Sequence, residues 1–333
     1  MLFTKTGESS IILVRKINMK IDLVIPWVCE DENLQKERAK YSSDDTDKQA
    51  LFKVRFKDNG ELRYLLRSVE TNAGFINKIF LVTNGQIPQW LNLKHPKINL
   101  VNHKDIFPSD ALPTFNTLAI EACIPNIPNL SDRFLYANDD MFFANKVTEN
   151  FFFDKKGYPI IRLRKNFNLK AEPKNLYEVF VKNSLDKFSK KFNVCLPYKE
   201  NHNIDAYYKP DVIKCIKEFE DDFKKTIYSK FRDKNNIRRI VWSCYSFYAG
   251  HSKMKFYNLY RLPSFLNRLT MKIYNKFRDS KFLVSYAKQY NVQKNSRIKL
   301  FCLNDTEFST DADRKRAINF LEQYFPNKSL FEK

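Results

Sequence analysis

An amide and two neighbouring carboxylates, Asn138, Asp139 and Asp140, directly follow the strand-forming run at residues 133–137. A buried strand can end on two carboxylates only if a cation offsets the cost of removing them from water, and a divalent metal that carries a phosphate is the simplest such cation. Asn and Asp are also common where a strand turns into a loop, because they hydrogen-bond the local backbone. By itself, the segment fits a turn and a metal site about equally well.

Other oxygen donors lie near the ends of predicted strands: Asp22, Glu121, Asn304 and Asp305. Carboxylate and amide oxygens suit a hard cation such as Mg²⁺ or Mn²⁺, and Mg²⁺ needs only one or two carboxylates besides substrate phosphates. Successive strand residues point to opposite faces, so Asp139 and Asp140 need not both reach one ion. Of the two, we favour Asp140 as the metal ligand.

Proton transfer and phosphate binding each have candidate residues. His202 lies in a polar segment between predicted helices and could accept a proton from an attacking hydroxyl, although a single loop histidine is more often a surface residue. Guanidinium groups bind phosphate oxygens through paired donors, although each arginine alone fits an ordinary ion pair equally well. The candidate arginines are Arg55, Arg63, Arg67 and Arg232.

Alternating strands and helices must position these residues. The first half predicts four short buried strands with helices at residues 58–71 and 114–124, which favours a βαβ arrangement whose ligands gather at the carboxyl ends of the strands. The predicted strands cover residues 21–28, 78–85, 98–103 and 134–137. All four end within a residue or two of an Asp, Asn or His, which strengthens the case for a site there.

The second half predicts helices at residues 174–192, 210–223 and 235–249, then a strand at 297–303 and a helix at 311–324. No repeat or low-complexity linker divides the chain. We therefore expect one α/β domain over residues 1–333, with a mostly parallel Rossmann-like sheet flanked by helices. Its parts are an α/β half at 20–165, a mainly helical insertion at 166–295, and a final strand and helix at 296–333 that return to the core.

The chain has a net charge of +20, spread over 333 residues. No nucleic-acid module accompanies this charge, so an anionic lipid, sugar nucleotide or polymer is a better partner than DNA or RNA, and a dispersed solvated surface needs no partner at all. Six separated cysteines without a C-x-x-C pair indicate reduced thiols. Residues 1–20 lack a signal pattern and no apolar run would span a membrane, which predicts a cytoplasmic protein, at most peripheral to a membrane.

Three common nucleotide and hydrolase motifs are absent from the sequence. The chain has no G-x-x-x-x-G-K-[ST], which argues against a P-loop kinase, and no G-x-G-x-x-G dinucleotide-binding turn. It also lacks the G-x-S-x-G nucleophile elbow. A metal-bound diphosphate is therefore the leading candidate for the activated group.

Longer motifs around these residues resemble the Stealth family of bacterial capsular polysaccharide hexose-1-phosphate transferases and the animal lysosomal-enzyme N-acetylglucosamine-1-phosphotransferase. Residues 21–28 resemble the family's first conserved block, residues 202–232 its third and residues 301–332 its fourth. The second block is the most specific, and it is matched in order at residues 55–68, 82–92, 103–108, 112–116 and 138–140. One departure is Cys29-Glu30-Asp31-Glu32, which replaces the usual acids of the first block, and Asp31 or Glu32 is the candidate substitute.

The resemblance implies that a glycan hydroxyl attacks the β-phosphorus of a UDP-sugar, releases UMP and forms a phosphodiester. It implies His202 as the base, Asp140 and Arg232 as further catalytic residues, and Mg²⁺ or Mn²⁺ as the cofactor. The expected metal ligands are Asp139, Asp140 and Asp305. The expected substrate-binding residues are Asp22, Arg55, Asn59, Arg63, Arg67, Glu121, Asn138 and Asn304.

The implied donor carries an N-acetylhexosamine, and the implied acceptor is an anionic glycan bound by the insertion. Peripheral contact with the inner membrane and with other capsule enzymes is a further expectation. The alternative enzyme is a conventional metal-dependent glycosyltransferase of capsule or lipopolysaccharide synthesis. A non-enzymatic protein that binds the polymer is the alternative outside catalysis.

Overall fold

Strands and helices alternate through the computed structural model, which describes residues 19–165, 169–257, 284–285 and 298–333. The strands are β1 (Ile21–Pro26), β2 (Ile76–Thr83), β3 (Ile98–Asn102), β4 (Arg133–Tyr136), β5 (Met141–Phe143), β6 (Ile160–Lys165), β7 (Tyr198–Glu200), β8 (Asp205–Tyr208), β9 (Lys253–Tyr257), β10 (Val284–Ser285) and β11 (Leu300–Asn304). The helices are α1 (Glu32–Tyr41), α2 (Glu61–Asn72), α3 (His103–Ile106), α4 (Thr117–Cys123), α5 (Glu149–Phe152), α6 (Leu176–Phe192), α7 (Lys209–Glu218), α8 (Glu220–Tyr228), α9 (Ile240–Tyr248) and α10 (Asp311–Tyr324).

The central sheet has the strand order β3-β2-β1-β4-β8. Its first four strands run parallel, and β8 pairs antiparallel with β4. Continuous apolar runs produce this arrangement because a parallel strand between two helical layers is buried on both faces. In β1, Leu23 and Ile25 enter one core while Val24 enters the other. The prediction of an α/β fold with a mostly parallel sheet is confirmed.

Each face of the sheet has its own core. On one face lie α2 and α10, together with β5 and its antiparallel partner β11. On the other face lie α4, α6, α7 and α9. Helix α2 corresponds to the helix predicted at 58–71 and begins directly after Gly60, whose φ of 92° lies in the left-handed region that glycine tolerates best. The last strand and helix thus pack on the same core as the first strand.

The second half contains strands that the sequence did not predict. Strands β6, β7 and β9 form a separate sheet in the order β7-β6-β9, and β8 completes the central sheet. The missed strands β7 and β8 have only 3 and 4 residues, and their mixed polar sequences show no alternation that would mark a strand. The region expected to be mainly helical therefore combines helices with strands.

Two elements of the second half differ from their predicted bounds. The helix predicted at 210–223 is two helices, α7 and α8, because Phe219 between them has φ −118° and ψ 36°, outside the helical region. The predicted strand at 297–303 is β11, which begins at Leu300. Much of the predicted insertion after residue 257, and residues 1–18 at the start, lie outside the described residues. In the described part of the chain, no helix is long and apolar enough to cross a membrane.

Candidate active site

A cavity of about 660 Å³ lies at the carboxyl ends of the parallel strands. Polar residues that follow three different strands line it, namely Asn84 after β2, His103 after β3 and Asn138 after β4. Trp27, the residue after β1, also lines the cavity. The topology therefore gathers the strand-end residues at one edge of the sheet, as a βαβ arrangement requires.

Asp139 and Asp140 form the acidic part of this cavity, together with Glu61 at the start of α2. Burial raises the pKa of Asp140 to about 7, and the charge of Glu61 acts in the same direction. Burial followed by the charges of Glu61 and Asp140 raises the pKa of Asp139 well above its ordinary value. Within the described residues neither aspartate forms an ion pair, and Asp140 Oδ1 is buried without a hydrogen-bond partner. These two carboxylates are half-buried acids without a cationic partner among the described residues.

A divalent cation fits this pair of aspartates. Carboxylate oxygens are the ligands that hard cations take, and a nearby cation would reverse the raised pKa of both groups. The third expected ligand, Asp305, lines the same cavity but already has partners. Its carboxylate lies 2.8 Å from Arg314 Nε and accepts a hydrogen bond from Asn59 Nδ2 at 3.3 Å. Asp305 is thus a compensated acid in this structure.

The Asn59 side chain lies between the carboxylates of Glu61 and Asp305. Its Nδ2 donates to Glu61 Oε1 at 2.9 Å as well as to Asp305. Asn59 is not among the residues that line the cavity. The contacts of Asn59 therefore orient Glu61 and Asp305, and its expected contact with substrate stays a prediction.

His202 lies beside Asp140, together with a residue that the sequence did not single out. Asp140, His202 and Cys302 each offer one atom that could bind a metal. These three atoms lie within 4.8 Å of one another. Cys302 is fully buried on β11, and its thiol hydrogen-bonds the Asp140 carboxylate. Sequence reasoning grouped Cys302 with the reduced thiols, although its place two residues before Asn304 was an available signal.

Arg55 and Arg232 form the basic part of the cavity. Burial and then the positive charge of Arg55 lower the pKa of Arg232 to about 9. Arg232 Nη2 donates to Thr117 Oγ1 at 2.7 Å, and Arg55 Nε donates to the Gln49 carbonyl at 2.5 Å. Among the described residues neither guanidinium has a carboxylate within ion-pair distance. Two neighbouring guanidinium groups that form no ion pair favour the binding of an anion.

Glu121 belongs to a buried network centred on Arg239, which the sequence did not predict. Arg239 Nη1 lies 2.7 Å from Glu121 Oε1 and its Nη2 lies 2.8 Å from Asp205 Oδ2. Arg239 Nε donates to Tyr207 Oη at 2.9 Å, and its guanidinium carbon lies 4.2 Å from the Tyr136 ring centroid. The available signal was a pair of arginines inside the otherwise apolar helical pattern at 235–249. Glu121 thus lines the cavity as a largely compensated acid.

Two asparagines complete the lining. The Tyr136 hydroxyl donates to Asn138 Oδ1 at 2.8 Å, which leaves the Asn138 amide nitrogen as a donor. Asn304 Nδ2 donates to the Asp305 carbonyl at 3.0 Å, which leaves the Asn304 Oδ1 as an acceptor. Both residues line the cavity and can contact a substrate there.

The structure does not bring Asp22 to this cavity. Asp22 is the second residue of β1, at the opposite end of the parallel sheet. Its carboxylate is fully buried and accepts hydrogen bonds from Asn77 Nδ2 at 2.8 Å, the Lys78 amide at 3.1 Å and the Ser131 amide at 2.8 Å. The prediction that Asp22 lies at a ligand-binding strand end is corrected, because these bonds tie the starts of neighbouring strands together.

Arg63 and Arg67 also lie outside the cavity lining. Arg67 is buried and forms a two-pronged pair with Glu332, with Nε–Oε1 at 2.9 Å and Nη2–Oε2 at 3.1 Å. Arg63 Nε lies 3.7 Å from Glu332 Oε2, and its guanidinium packs on Trp90. These contacts hold the C-terminal residues against α2. The expected phosphate-binding role is therefore corrected to a structural one.

The substituted acids of the first block have local partners. Asp31 caps α1 by accepting from the Leu34 amide at 2.8 Å, and its other oxygen accepts from Gln86 Nε2 at 2.8 Å. Glu32 is exposed and lies 3.8 Å from Lys36. Neither residue lines the cavity, so neither substitutes there for the usual acids.

Two family models match the chain. The model described as Stealth protein CR2, conserved region 2, matches residues 55–161, and the model described as Stealth protein CR4, conserved region 4, matches residues 291–333. These are the segments where the sequence resembled the second and fourth blocks. The expected matches to the first and third blocks stay predictions.

Named relatives align over nearly the whole chain. Capsular polysaccharide phosphotransferase SacB of Neisseria meningitidis serogroup A is 33% identical over 95% of this chain, which spans 57% of the length of SacB. Exopolysaccharide phosphotransferase cps2G of Lactiplantibacillus plantarum is 29% identical over 94% of this chain and 96% of its own length. Capsular polysaccharide phosphotransferase fcs1 of Haemophilus influenzae is 29% identical over 92% of this chain and 84% of its own length.

Among solved structures, a galactosyltransferase with donor and acceptor sugar analogues aligns with 93% of this chain and 97% of its own, at a TM-score of 0.41 and 12% identity. That likeness is too distant to bear on fold or activity. The two conserved regions and the phosphotransferase relatives agree with each other. On their evidence, this chain belongs to the Stealth family.

Proposed function

We propose that this protein is a sugar-1-phosphate transferase of capsular or exopolysaccharide synthesis. It transfers a hexose-1-phosphate from a UDP-sugar to a glycan hydroxyl. In its specific form, the proposal is that the transferred group is N-acetylhexosamine-1-phosphate. Its relatives are named capsular and exopolysaccharide phosphotransferases, which supports this class of reaction.

One observation carries the proposal. The uncompensated acids Asp139 and Asp140 and the unpaired guanidiniums of Arg55 and Arg232 line one cavity in the described part of the chain. A diphosphate with a bound divalent cation is complementary to both groups, because the cation neutralises the acids while the phosphate oxygens neutralise the arginines. A neutral sugar alone would satisfy neither group.

The proposed reaction is an in-line displacement at phosphorus. The acceptor hydroxyl oxygen forms a bond to the β-phosphorus of the UDP-sugar while the bond to the bridging oxygen breaks, and UMP leaves with that oxygen. His202 takes the hydroxyl proton, which its place in the cavity supports. The anomeric carbon–oxygen bond is not cut, so the sugar keeps its anomeric configuration.

The remaining residues position the phosphates. In the proposed complex, Asp139 and Asp140 hold Mg²⁺ or Mn²⁺, which supplies positive charge to the phosphate oxygens. Arg55 and Arg232 bind oxygens of the transferred group as negative charge spreads over them. The amide nitrogen of Asn138 donates to the diphosphate, and Asn304 and Glu121 contact the donor.

The proposed acceptor is an anionic glycan, and the net charge of +20 supports it. The same charge would favour peripheral contact with an anionic membrane surface, where other capsule enzymes act. Activity measured across a salt series tests the acceptor, because salt screens contacts between exposed charges. An acceptor KM that is independent of salt would overturn this part of the proposal.

The deciding experiment offers the protein a panel of nucleotide sugars with an oligosaccharide acceptor and Mg²⁺, and follows UMP release and the phosphorus NMR spectrum of the product. A phosphodiester signal with UMP supports the proposal, whereas UDP release and a product without phosphorus identify a conventional glycosyltransferase. Asp140→Asn and His202→Ala should lose turnover while the fold is retained. Arg63→Ala, outside the cavity, is the matched control.

A further inference from the structure

Three side chains of different chemistry converge where Asp140 and His202 line the cavity, with Cys302 buried behind them. Asp140 supplies a carboxylate oxygen, His202 a ring nitrogen and Cys302 a thiol sulfur, with these atoms within 4.8 Å of one another. The three residues come from separate parts of the chain, after β4, before β8 and within β11. Sequence proximity therefore does not account for the cluster.

Backbone pairing holds Asp140 and Cys302 together and anchors the strand that follows His202. The Leu303 amide donates to the Asp140 carbonyl at 2.9 Å, and Cys302 pairs with Met141 where β11 meets β5. On the other side, β8 pairs with β4 through Tyr136 and Asp205, three residues after His202. Cys302 thus lies on a strand, while Asp140 and His202 lie in short segments anchored by the neighbouring strands.

The donor set differs from the one that Mg²⁺ takes. Hard cations select oxygen ligands, whereas a thiolate together with an imidazole selects ions of the zinc class. Asp140 Oδ1 is buried and has no hydrogen-bond partner among the described residues, so one ligand atom of the set is available. Cys302 contributes nothing to the transfer chemistry proposed above, although it is fully buried against Asp140.

We propose that Asp140, His202 and Cys302 form a binding site for a thiophilic divalent cation of the Zn²⁺ class. Three protein ligands would leave the fourth position to water from the cavity, the pattern of an open zinc site. On binding, the Cys302 thiol loses its proton to solvent and the metal–sulfur bond forms, with no change of oxidation state.

The consequence for activity rests on the proposed function. A cation in this site occupies the proposed base His202 and one oxygen ligand of the proposed Mg²⁺ site. Zn²⁺ and Mg²⁺ therefore compete for Asp140, and Zn²⁺ inhibits sugar-phosphate transfer. The cluster makes the enzyme sensitive to the kind of divalent metal present.

Titration of the metal-free full-length protein with Co²⁺ tests the site without any assay of activity. A sulfur-to-cobalt charge-transfer absorption that saturates at one equivalent supports the proposal, and its absence in the wild type overturns it. Cys302→Ser should lose this absorption, whereas Cys195→Ser should retain it, since Cys195 is an exposed free thiol outside the cluster. The same absorption in Cys302→Ser would assign the ion to another cysteine and overturn the proposal.

A second variant covers the case in which Cys302→Ser does not fold. His202→Ala leaves the thiol in place and should weaken Co²⁺ binding by about tenfold or more, because it removes a direct ligand. An unchanged affinity would overturn the proposed set of ligands.

Inhibition is measured last, as the Zn²⁺ concentration that halves UMP release at two Mg²⁺ concentrations. An increase of that concentration with Mg²⁺ supports the shared ligand, and full activity with Zn²⁺ bound overturns the inhibition. If no UMP is released under any condition, the proposed function fails, while the Co²⁺ titration still decides the site.

Discussion

Two groups of buried charge line the same cavity and differ in how they are compensated. In the group around Arg239, the guanidinium contacts both Glu121 and Asp205, and Arg238 Nη2 lies 2.6 Å from Glu200 Oε2. In the group around Asp140, carboxylates face one another and no described cation pairs with either aspartate. In the first group each carboxylate has a guanidinium partner, and in the second neither aspartate has one.

This contrast separates architecture from ligand binding. A buried charge costs several kcal/mol unless a partner offsets it, so a paired network persists in the folded chain by itself. A cluster of unpaired carboxylates destabilises the ligand-free protein through repulsion and desolvation. A bound counter-ion removes that cost. We therefore expect changes in the Arg239 group to act mainly on stability and changes in the Asp140 group to act mainly on turnover.

The largest expected effect comes from breaking the compensated group. Arg239→Met leaves Glu121 and Asp205 buried without their partner, and removal of one partner from a buried pair costs about 3–5 kcal/mol. Urea unfolding should show this loss in the free energy of unfolding. The matched control is Arg316→Met, which removes a half-exposed pair with Asp313 and should cost less than about 1 kcal/mol. Equal losses in the two variants would contradict the contrast.

Next in size is the loss of turnover in the uncompensated group. Asp139→Asn and Asp140→Asn keep the side-chain shape and remove the charge that would hold a cation, which should lower the rate of UMP release about 100- to 1000-fold. Asp110→Asn, an exposed acid outside the cavity lining, should leave the rate unchanged. Normal turnover in either cavity variant would exclude that aspartate as a metal ligand.

The basic part of the cavity provides a smaller effect. Arg232→Ala removes a guanidinium whose interaction with phosphate oxygens is worth about 1.5–3 kcal/mol, so the KM for the nucleotide sugar should increase about 10- to 100-fold. Arg63→Ala removes an arginine that contacts Glu332 and Trp90, and the KM should stay near that of the wild type. If both variants raise the KM for the nucleotide sugar equally, Arg232 has no specific role in phosphate binding.

The central sheet and the acids at its edge could be predicted from the sequence, because both depend on local patterns. Each of the first four strands is a short apolar run, and parallel strands bring their carboxyl ends to one edge. That rule correctly placed Asp139 and Asp140 in the cavity lining. The same rule excludes Asp22, because the second residue of a strand lies at its amino end, so counting Asp22 among the strand-end donors was wrong.

Partners that are distant along the chain could not be predicted. Arg67 and Glu332 are 265 residues apart, so nothing local distinguished a structural arginine from one that binds phosphate. Cys302 lies in a fully buried strand, where a cysteine is usually a small apolar residue, and only the pairing of β11 with β5 brings it to Asp140. The role of a charged or polar side chain depends on what the fold places opposite it.

The smallest expected effect is a pH dependence of stability, to which Asp140 contributes in the uncompensated group and Asp205 in the Arg239 group, because burial raises the pKa of Asp205 to about 7 as well. Burial raises the pKa of Asp140 from 3.8 to about 7, so between these values the folded protein binds more protons than the unfolded chain. The stability that protonated Asp140 contributes is complete below about pH 4 and is lost as the pH rises through about 7.

In the metal-free protein, this group should lower the free energy of unfolding by about 1–2 kcal/mol between pH 5 and pH 8, since one pKa unit corresponds to about 1.4 kcal/mol and partial exposure to the cavity reduces the full effect. Urea unfolding across this range measures it. Asp140→Asn should remove the part of the dependence that Asp140 contributes, and saturating Mg²⁺ should reduce that part in the wild type, because a bound cation stabilises the carboxylate. A slope in Asp140→Asn as steep as that of the wild type would assign the pH dependence to the other carboxyls whose pKa is raised, Asp139 in the same cluster and Asp205 in the Arg239 group.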